Sequence, residues 1–193
     1  MNDLADLYRT IYHDPGHATY GRGLKRCAEF LPRLWSAGLG RVLSLGCGHG
    51  DELIALSGRV PHVAGIEFGL PACSWYAFPD RSLQRCCADF TDAPSGYPVV
   101  DAVVSFDVLE HLREDQLDQV LRNARAAAPR ACLVVANMPD PHRLPDGRVV
   151  DLHLIQQPPG WWAERIARVT RWGVELQALP YPERFGLWCG DWR

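Results

Sequence analysis

The chain has almost no lysine. Of its 20 basic residues only Lys25 is a lysine, and 23 acidic residues outnumber them, for a formal net charge of -3 over 193 residues. Nothing in that balance carries the electrostatic footprint of a nucleic-acid or anionic-membrane partner. Long apolar runs are missing too: none reaches the roughly 20 residues needed to span a bilayer. The acidic start "MNDLADLYRTIYHDPGH", broken by Pro15 and Gly16, is not that of a secretory signal. No C-x-x-C pair occurs among the seven cysteines, Cys27, Cys47, Cys73, Cys86, Cys87, Cys132 and Cys189. Their number is odd, and several lie in or beside apolar runs, so reduced, mostly buried thiols in a cytoplasmic protein are expected. Ligands at the spacing of a tetrahedral zinc site are lacking, and no metal is expected. There is no internal repeat and no low-complexity tract, and the length suits one domain with a sizeable core.

What is present is an alternation of strand and helix signals. Residues 3–12 and 23–37 read as amphipathic helices, the second distorted by Pro32. Strands are expected at 41–46, 62–67, 83–90, 100–107 and 130–139, with helices at 51–58, 70–78 and 113–128 between them. A loop follows, then a helix opened by Pro158 and Pro159, then strands at 174–180 and 184–192 joined by "YPE". The expected fold is α/β: a single Rossmann-like domain with a seven-stranded, mostly parallel sheet and helices on both faces. The tight "YPE" link makes the last strand antiparallel, at or near an edge. Along the chain, 1–38 would be an N-terminal helical cap, 40–140 a ligand-binding core, and 141–193 an acceptor loop, helix and terminal hairpin.

The stretch "VLSLGCGHGDEL" (42–53) ends an apolar run in Gly46, Gly48 and Gly50. In an open parallel sheet ligands bind beyond the carboxyl ends of the strands, near the reversal of strand order. Glycines there let a ligand lie against the backbone and permit a positive φ. Such a turn alone is often only a turn, but its downstream partners give it meaning. Glu67 ends the second strand, where a carboxylate can accept both hydroxyls of a ribose. Asp89 ends the third with Phe90 beside it, a carboxylate for an exocyclic amine and a wall for an adenine ring.

"LSLGCGHG", "GIE", "CADF" and "FDVLEHL", in this order and spacing, resemble the class I S-adenosylmethionine-dependent methyltransferases. The resemblance implies S-adenosylmethionine as cofactor and S-adenosylhomocysteine as product. It puts Gly46, Gly48 and Gly50 beneath the methionine part, Glu67 at the ribose, and Asp89 and Phe90 around the adenine, with Cys47 and Phe68 also among the cofactor-binding residues. Phe106 and Asp107 would line the cofactor, and His111 would face the sulfonium. Tyr20 and Arg22, after His13 and His17, stand in a segment that commonly covers the cofactor in such folds. A second resemblance lies in the tail. "LPDGRVVDLHL", followed by Trp161 and Trp162, is similar to small bacterial and phage methyltransferases associated with surface sugars or secondary metabolites. Asp151 stands where that group's pattern has His, and His153 lies two places on.

Methyl transfer needs a positioned nucleophile, removal of its proton and exclusion of water. A hydroxyl or ammonium acceptor wants a base with a pKa near neutrality, and His is the natural choice. His111 is the first candidate, the loop pair Asp151 and His153 the second, and His142 the third. The expected function is O- or N-methylation of a small polar acceptor: a sugar, a nucleotide-linked sugar or a natural-product intermediate. The alternatives are a non-methylating lyase, cyclase or isomerase using the same pocket, or a partner subunit. A nucleic-acid methyltransferase is disfavoured, since no N-P-P-Y motif occurs and "NMPD" (137–140) is only a distant echo. Neither nucleic acid nor membrane is an expected partner, and the chain is expected as a monomer or homodimer.

Overall fold

The computed structural model describes residues 27–48, 50–67, 76–77, 83–87, 90–91, 97–144, 146–181 and 183–192. Ten strands are described: β1 (Arg41–Leu45), β2 (His62–Glu67), β3 (Tyr76–Ala77), β4 (Leu83–Cys87), β5 (Ala102–Phe106), β6 (Ala131–Ala136), β7 (Pro141–Arg143), β8 (Val149–Asp151), β9 (Val174–Ala178) and β10 (Arg184–Cys189). Four α-helices accompany them: α1 (Leu31–Ser36), α2 (Asp51–Ser57), α3 (Glu114–Ala127) and α4 (Pro159–Thr170).

The main sheet runs β3-β4-β2-β1-β5-β6-β10-β9. β4, β2, β1, β5 and β6 pair in parallel. β10 is antiparallel to both its neighbours, one place in from the edge that β9 forms. Apart from the two-residue β3, this is the expected sheet of seven. Strand order reverses between β1 and β5, which makes the carboxyl ends of those two strands the switch point where such sheets take ligands.

The central strands are apolar on both faces because both faces are covered. Leu43, Val103, Leu133 and Leu187 point toward α3 and α4, where Leu117, Val120, Leu121, Trp162 and Ile166 are buried. Val42, Val104, Val134 and Trp188 point the other way, onto Leu31, Leu34, Leu53 and Leu56 of α1 and α2. Phe30 settles between Phe106 and Trp188, with ring centroids 6.0 and 5.8 Å away. Its seat is made by Gly186, where any Cβ would collide with the Phe30 ring. Trp188, expected in the core, is buried there and donates its ring N–H to Gln177 Oε1 at 2.6 Å.

Three expectations need correction. Pro32 does not distort a long helix; it stands in the first turn of α1, where its missing N–H costs nothing. The helix expected over 70–78 gives way, in its described part, to β3: Tyr76–Ala77 pairs antiparallel with β4, an edge that accepts a strand-prone aromatic. Within the loop after β6, β7 and β8 form a two-stranded antiparallel ribbon. It was illegible because its side chains alternate between exposed and half-buried, with no apolar face.

Candidate active site

The chain leaves β1 through the glycine turn. Gly46, Gly48 and Gly50 have φ of 72°, 50° and 91°, all in the left-handed region that other residues enter at a cost. A Cβ on Gly46 would also lie 2.5 Å from Cγ2 of Val108, in the turn after β5. The Gly46 and Cys47 amides both donate to the Ile66 carbonyl, at 2.8 and 3.2 Å. Cys47 turns its side chain into the core, into space that Gly65 leaves: a Cβ on Gly65 would sit 2.5 Å from Cys47 Sγ. The Gly48 amide donates to Glu67 Oε2 at 2.9 Å, so the turn and the end of β2 are fastened together, with Glu67 only 4% exposed. Gly50 is the N-cap of α2.

Glu52, in the first turn of α2, is buried beneath this turn and accepts the Ser44 hydroxyl at 3.1 Å. Burial pushes its carboxyl up to about 7; its backbone and the Ser44 hydroxyl pull downward, while the charges of Glu67 and Asp51 push up.

The second half of the site grows from β5. Phe106 is buried among the aromatics under α1. Asp107 follows with a φ of 54°, and Arg184 Nη2 lies 3.0 Å from its Oδ2. A 3₁₀ turn (Leu109–His111) comes next. Glu110 is fully buried and accepts the Ala136 amide on Oε1 at 3.1 Å. The loop after β8 docks onto this turn. Ile155 N–H donates to the Glu110 carbonyl at 3.0 Å, and His111 Nδ1 donates to the Leu152 carbonyl at 2.9 Å. His153 Nδ1 likewise donates to the Met138 carbonyl. A carbonyl only accepts, so in each ring the proton sits on Nδ1 and Nε2 is the basic nitrogen. The two imidazoles meet edge to face, centroids 4.6 Å apart. His153 Nε2 lies 3.9 Å from Glu110 Oε1 and 3.8 Å from Asp140 Oδ2.

Asp151 works differently from its neighbour. Its carboxylate accepts the amides of Asp140 and His153 at 2.9 and 3.0 Å and the Gln156 side chain at 2.8 Å. Partial burial opposes ionisation, but these donors outweigh it and hold the carboxyl below the usual range. The geometry is that of a loop pin. Tyr20, Arg22, Phe68 and Asp89 lie outside the described residues, as do His13 and His17. Phe90 is buried in the cluster under α3, and its carbonyl accepts the Tyr97 hydroxyl. His142 sits on β7. The sequence reading missed Glu110 and Glu52. The signal for Glu110 was present: a carboxylate between Leu109 and Leu112, both fully buried.

The turn after β1 and the turn after β5 thus meet at the switch point. One offers a backbone cradle with a fixed carboxylate, the other a buried carboxylate and an oriented imidazole, to which the loop after β8 adds a second.

A family model described as "Methyltransferase domain" matches residues 18–179. No curated protein matches the sequence. Among solved structures, the DhpI–SAH complex is 18% identical, with a TM-score of 0.71 over 96% of this chain and 94% of that one. The Burkholderia thailandensis 1,6-didemethyltoxoflavin-N1-methyltransferase, with bound 1,6-didemethyltoxoflavin and S-adenosylhomocysteine, is 16% identical, with a TM-score of 0.73 over 97% and 88%. The mitomycin 7-O-methyltransferase MmcR is 15% identical, with a TM-score of 0.60 over 95% and 60%. The family match spans most of the chain, so the chain belongs to the methyltransferase-domain family, on the Rossmann-like fold of the class I S-adenosylmethionine-dependent methyltransferases.

Proposed function

We propose that this chain transfers a methyl group from S-adenosylmethionine to an oxygen or nitrogen of a small polar acceptor, such as a sugar, a nucleotide-linked sugar or a natural-product intermediate. The observation that carries the reading is the Gly48–Glu67 contact beside the switch point: a turn held at positive φ, its amide fastened to a buried carboxylate. The turn fits the cofactor because it offers backbone in place of side chains at Gly46, Gly48 and Gly50, with the Glu67 carboxylate fixed beside it. S-adenosylmethionine, when bound, supplies an electrophilic methyl on a sulfonium, so the protein need only orient the acceptor and strip its proton.

Gly46, Cys47, Gly48 and Gly50 would bear the methionine part on their backbone, and Glu67 would hold the ribose. Asp89 and Phe90 would flank the adenine, with Phe68 also among the cofactor-binding residues. Phe106 and Asp107 would close the floor, and Tyr20 would reach over the cofactor. His111 and His153 would flank the acceptor where it loses its proton, and Asp151 holds the His153 loop in place. Met138 and Leu154, both exposed, adjoin His153 through its hydrogen bond and its sequence, and offer apolar surface to an acceptor's carbon frame. The net charge of -3 favours a small molecule over a nucleic acid. The buried cysteines Cys27, Cys47, Cys132 and Cys189 suit a reducing, cytoplasmic setting.

The test is calorimetric titration with S-adenosylmethionine and S-adenosylhomocysteine, then a screen of sugar, nucleotide-sugar and secondary-metabolite acceptors for S-adenosylhomocysteine release. Binding on the order of micromolar, with turnover on a hydroxyl or amine acceptor, is expected. Binding without turnover on any acceptor class would favour a non-methylating enzyme or a partner subunit. No binding, with acceptors present or absent, would overturn the proposal.

A further inference from the structure

Resting on that reading of the acceptor side, we infer that Glu110, His111 and His153 form a binding site for one divalent first-row transition cation. Each residue offers one ligand atom, and all three atoms lie within 4.8 Å of one another. Two ligands each about 2.1 Å from a shared ion stand roughly 3 to 4.2 Å apart. The 3.9 Å between His153 Nε2 and Glu110 Oε1 already meets that requirement. The other pairs need to close by less than about 1 Å.

The surroundings are those of ligands fixed in advance. A ligating histidine commonly donates its second ring nitrogen to a carbonyl, which sets the tautomer and aims the other nitrogen at the metal. His111 does this with Leu152 and His153 with Met138. The Glu110 carboxylate is oriented in the same way by the Ala136 amide. Charge points in the same direction. A fully buried carboxylate, Glu110, and the carboxylate of Asp140, 3.8 Å from His153, both lie around this pair of imidazoles. A divalent cation balances that set.

Two imidazoles and a carboxylate select the zinc, manganese and iron(II) class over calcium or magnesium, which prefer oxygen alone. Three protein ligands also leave coordination positions open. An acceptor hydroxyl bound there would lose its proton near neutral pH: the O–H bond breaks, the proton passes to water, and the oxygen stays on the cation as the nucleophile. His111 and His153 would then act as ligands, not as bases. Spacing along the chain does not reveal this site, because its ligands come from two segments that meet only when the loop after β8 docks.

The test uses the full chain, freed of metal with a chelator that is then removed. Mn²⁺ is titrated by electron paramagnetic resonance and Co²⁺ by visible absorption, with S-adenosylhomocysteine binding measured alongside. One equivalent of cation per chain is expected. Glu110→Gln and His153→Gln should each weaken it at least 30-fold, while S-adenosylhomocysteine affinity changes less than threefold. His111→Gln serves if the Glu110 variant does not fold, and His62→Gln, at the far end of β2, should change nothing. Absence of a saturable single equivalent, or binding unaltered in the cluster variants, overturns the inference. S-adenosylhomocysteine binding without cation binding leaves the methyltransferase reading intact and removes this site. Cation binding without cofactor binding does the reverse.

Discussion

Val108 fills the space where a side chain on Gly46 would go: a Cβ there would come within 2.5 and 2.6 Å of its two methyl carbons. The turns after β1 and β5 therefore touch, and Gly46 is required by both backbone and packing. Gly46→Ala should destabilise the fold by about 2–5 kcal/mol, the sum of a left-handed φ and an overpacked contact. Val108→Ala should recover part of that loss, since it removes the two nearest carbons. A double-mutant cycle in urea checks this, and strictly additive effects would contradict the contact.

Glu67 is the second prediction. Glu67→Ala should raise the dissociation constant for S-adenosylhomocysteine at least tenfold. It should also cost about 1–3 kcal/mol of stability, because the Gly48 amide loses its buried acceptor. Calorimetry and thermal unfolding read the two effects separately. Unchanged cofactor affinity would remove Glu67 from the site.

Glu52 predicts a pH dependence of stability. Its carboxyl stands at about 7 in the folded protein against an ordinary value of 4.5, chiefly through burial. Between those values the folded state holds more protons than the unfolded chain, so this contribution falls as pH rises from about 4.5 to about 7. The loss is on the order of 3 kcal/mol. Glu52→Gln keeps an acceptor for Ser44 and removes the titration. Its unfolding free energy should be flatter across this window and higher than wild type at pH 8. Parallel profiles for the two proteins would refute the assignment.

The thiols give a chemical prediction. Burial pushes Cys27 up to about 12 and raises Cys132 and Cys189 well above the ordinary thiol range. Negative charge on Glu52 adds to the shift at Cys27. Maleimide labelling of the native protein, mapped by mass spectrometry, should leave all three unmodified until denaturant is added. Rapid native labelling of any of them would mean that the core opens far more readily than its packing indicates.

Much of the fold was legible because the central strands are buried on both faces. Ala131–Ala136 is buried at every position and reads as a continuous apolar run. The glycine turn was legible through its partners, since three alternating glycines after a strand gain meaning from Glu67 and Asp89 at the ends of the next two strands. What escaped was either short and exposed or made by distant parts of the chain. The ribbon of β7 and β8 has no apolar face to betray it, and β3 is two residues long. Asp151 and His153 alternate as a strand would, yet one carboxylate turns to backbone amides while the neighbouring ring turns inward. Glu110 stands between Leu109 and Leu112, a hint of burial that does not say what buries it. Its burial comes from β6 and the docked loop, which local pattern does not encode.

The placement of β10 has a consequence for synthesis on the ribosome. β6 is fully apolar, and its outer edge is paired only by residues 184–189, which arrive after α4 and β9 have been made. Until then the nascent sheet carries an open, sticky edge of the kind that pairs with other chains. β9 cannot cover it, because β9 pairs with β10 and not with β6. Stalling or truncation before residue 184 should therefore yield a chain whose cofactor cradle is nearly complete but which aggregates, so the two final strands act as the seal that makes the product safe to release.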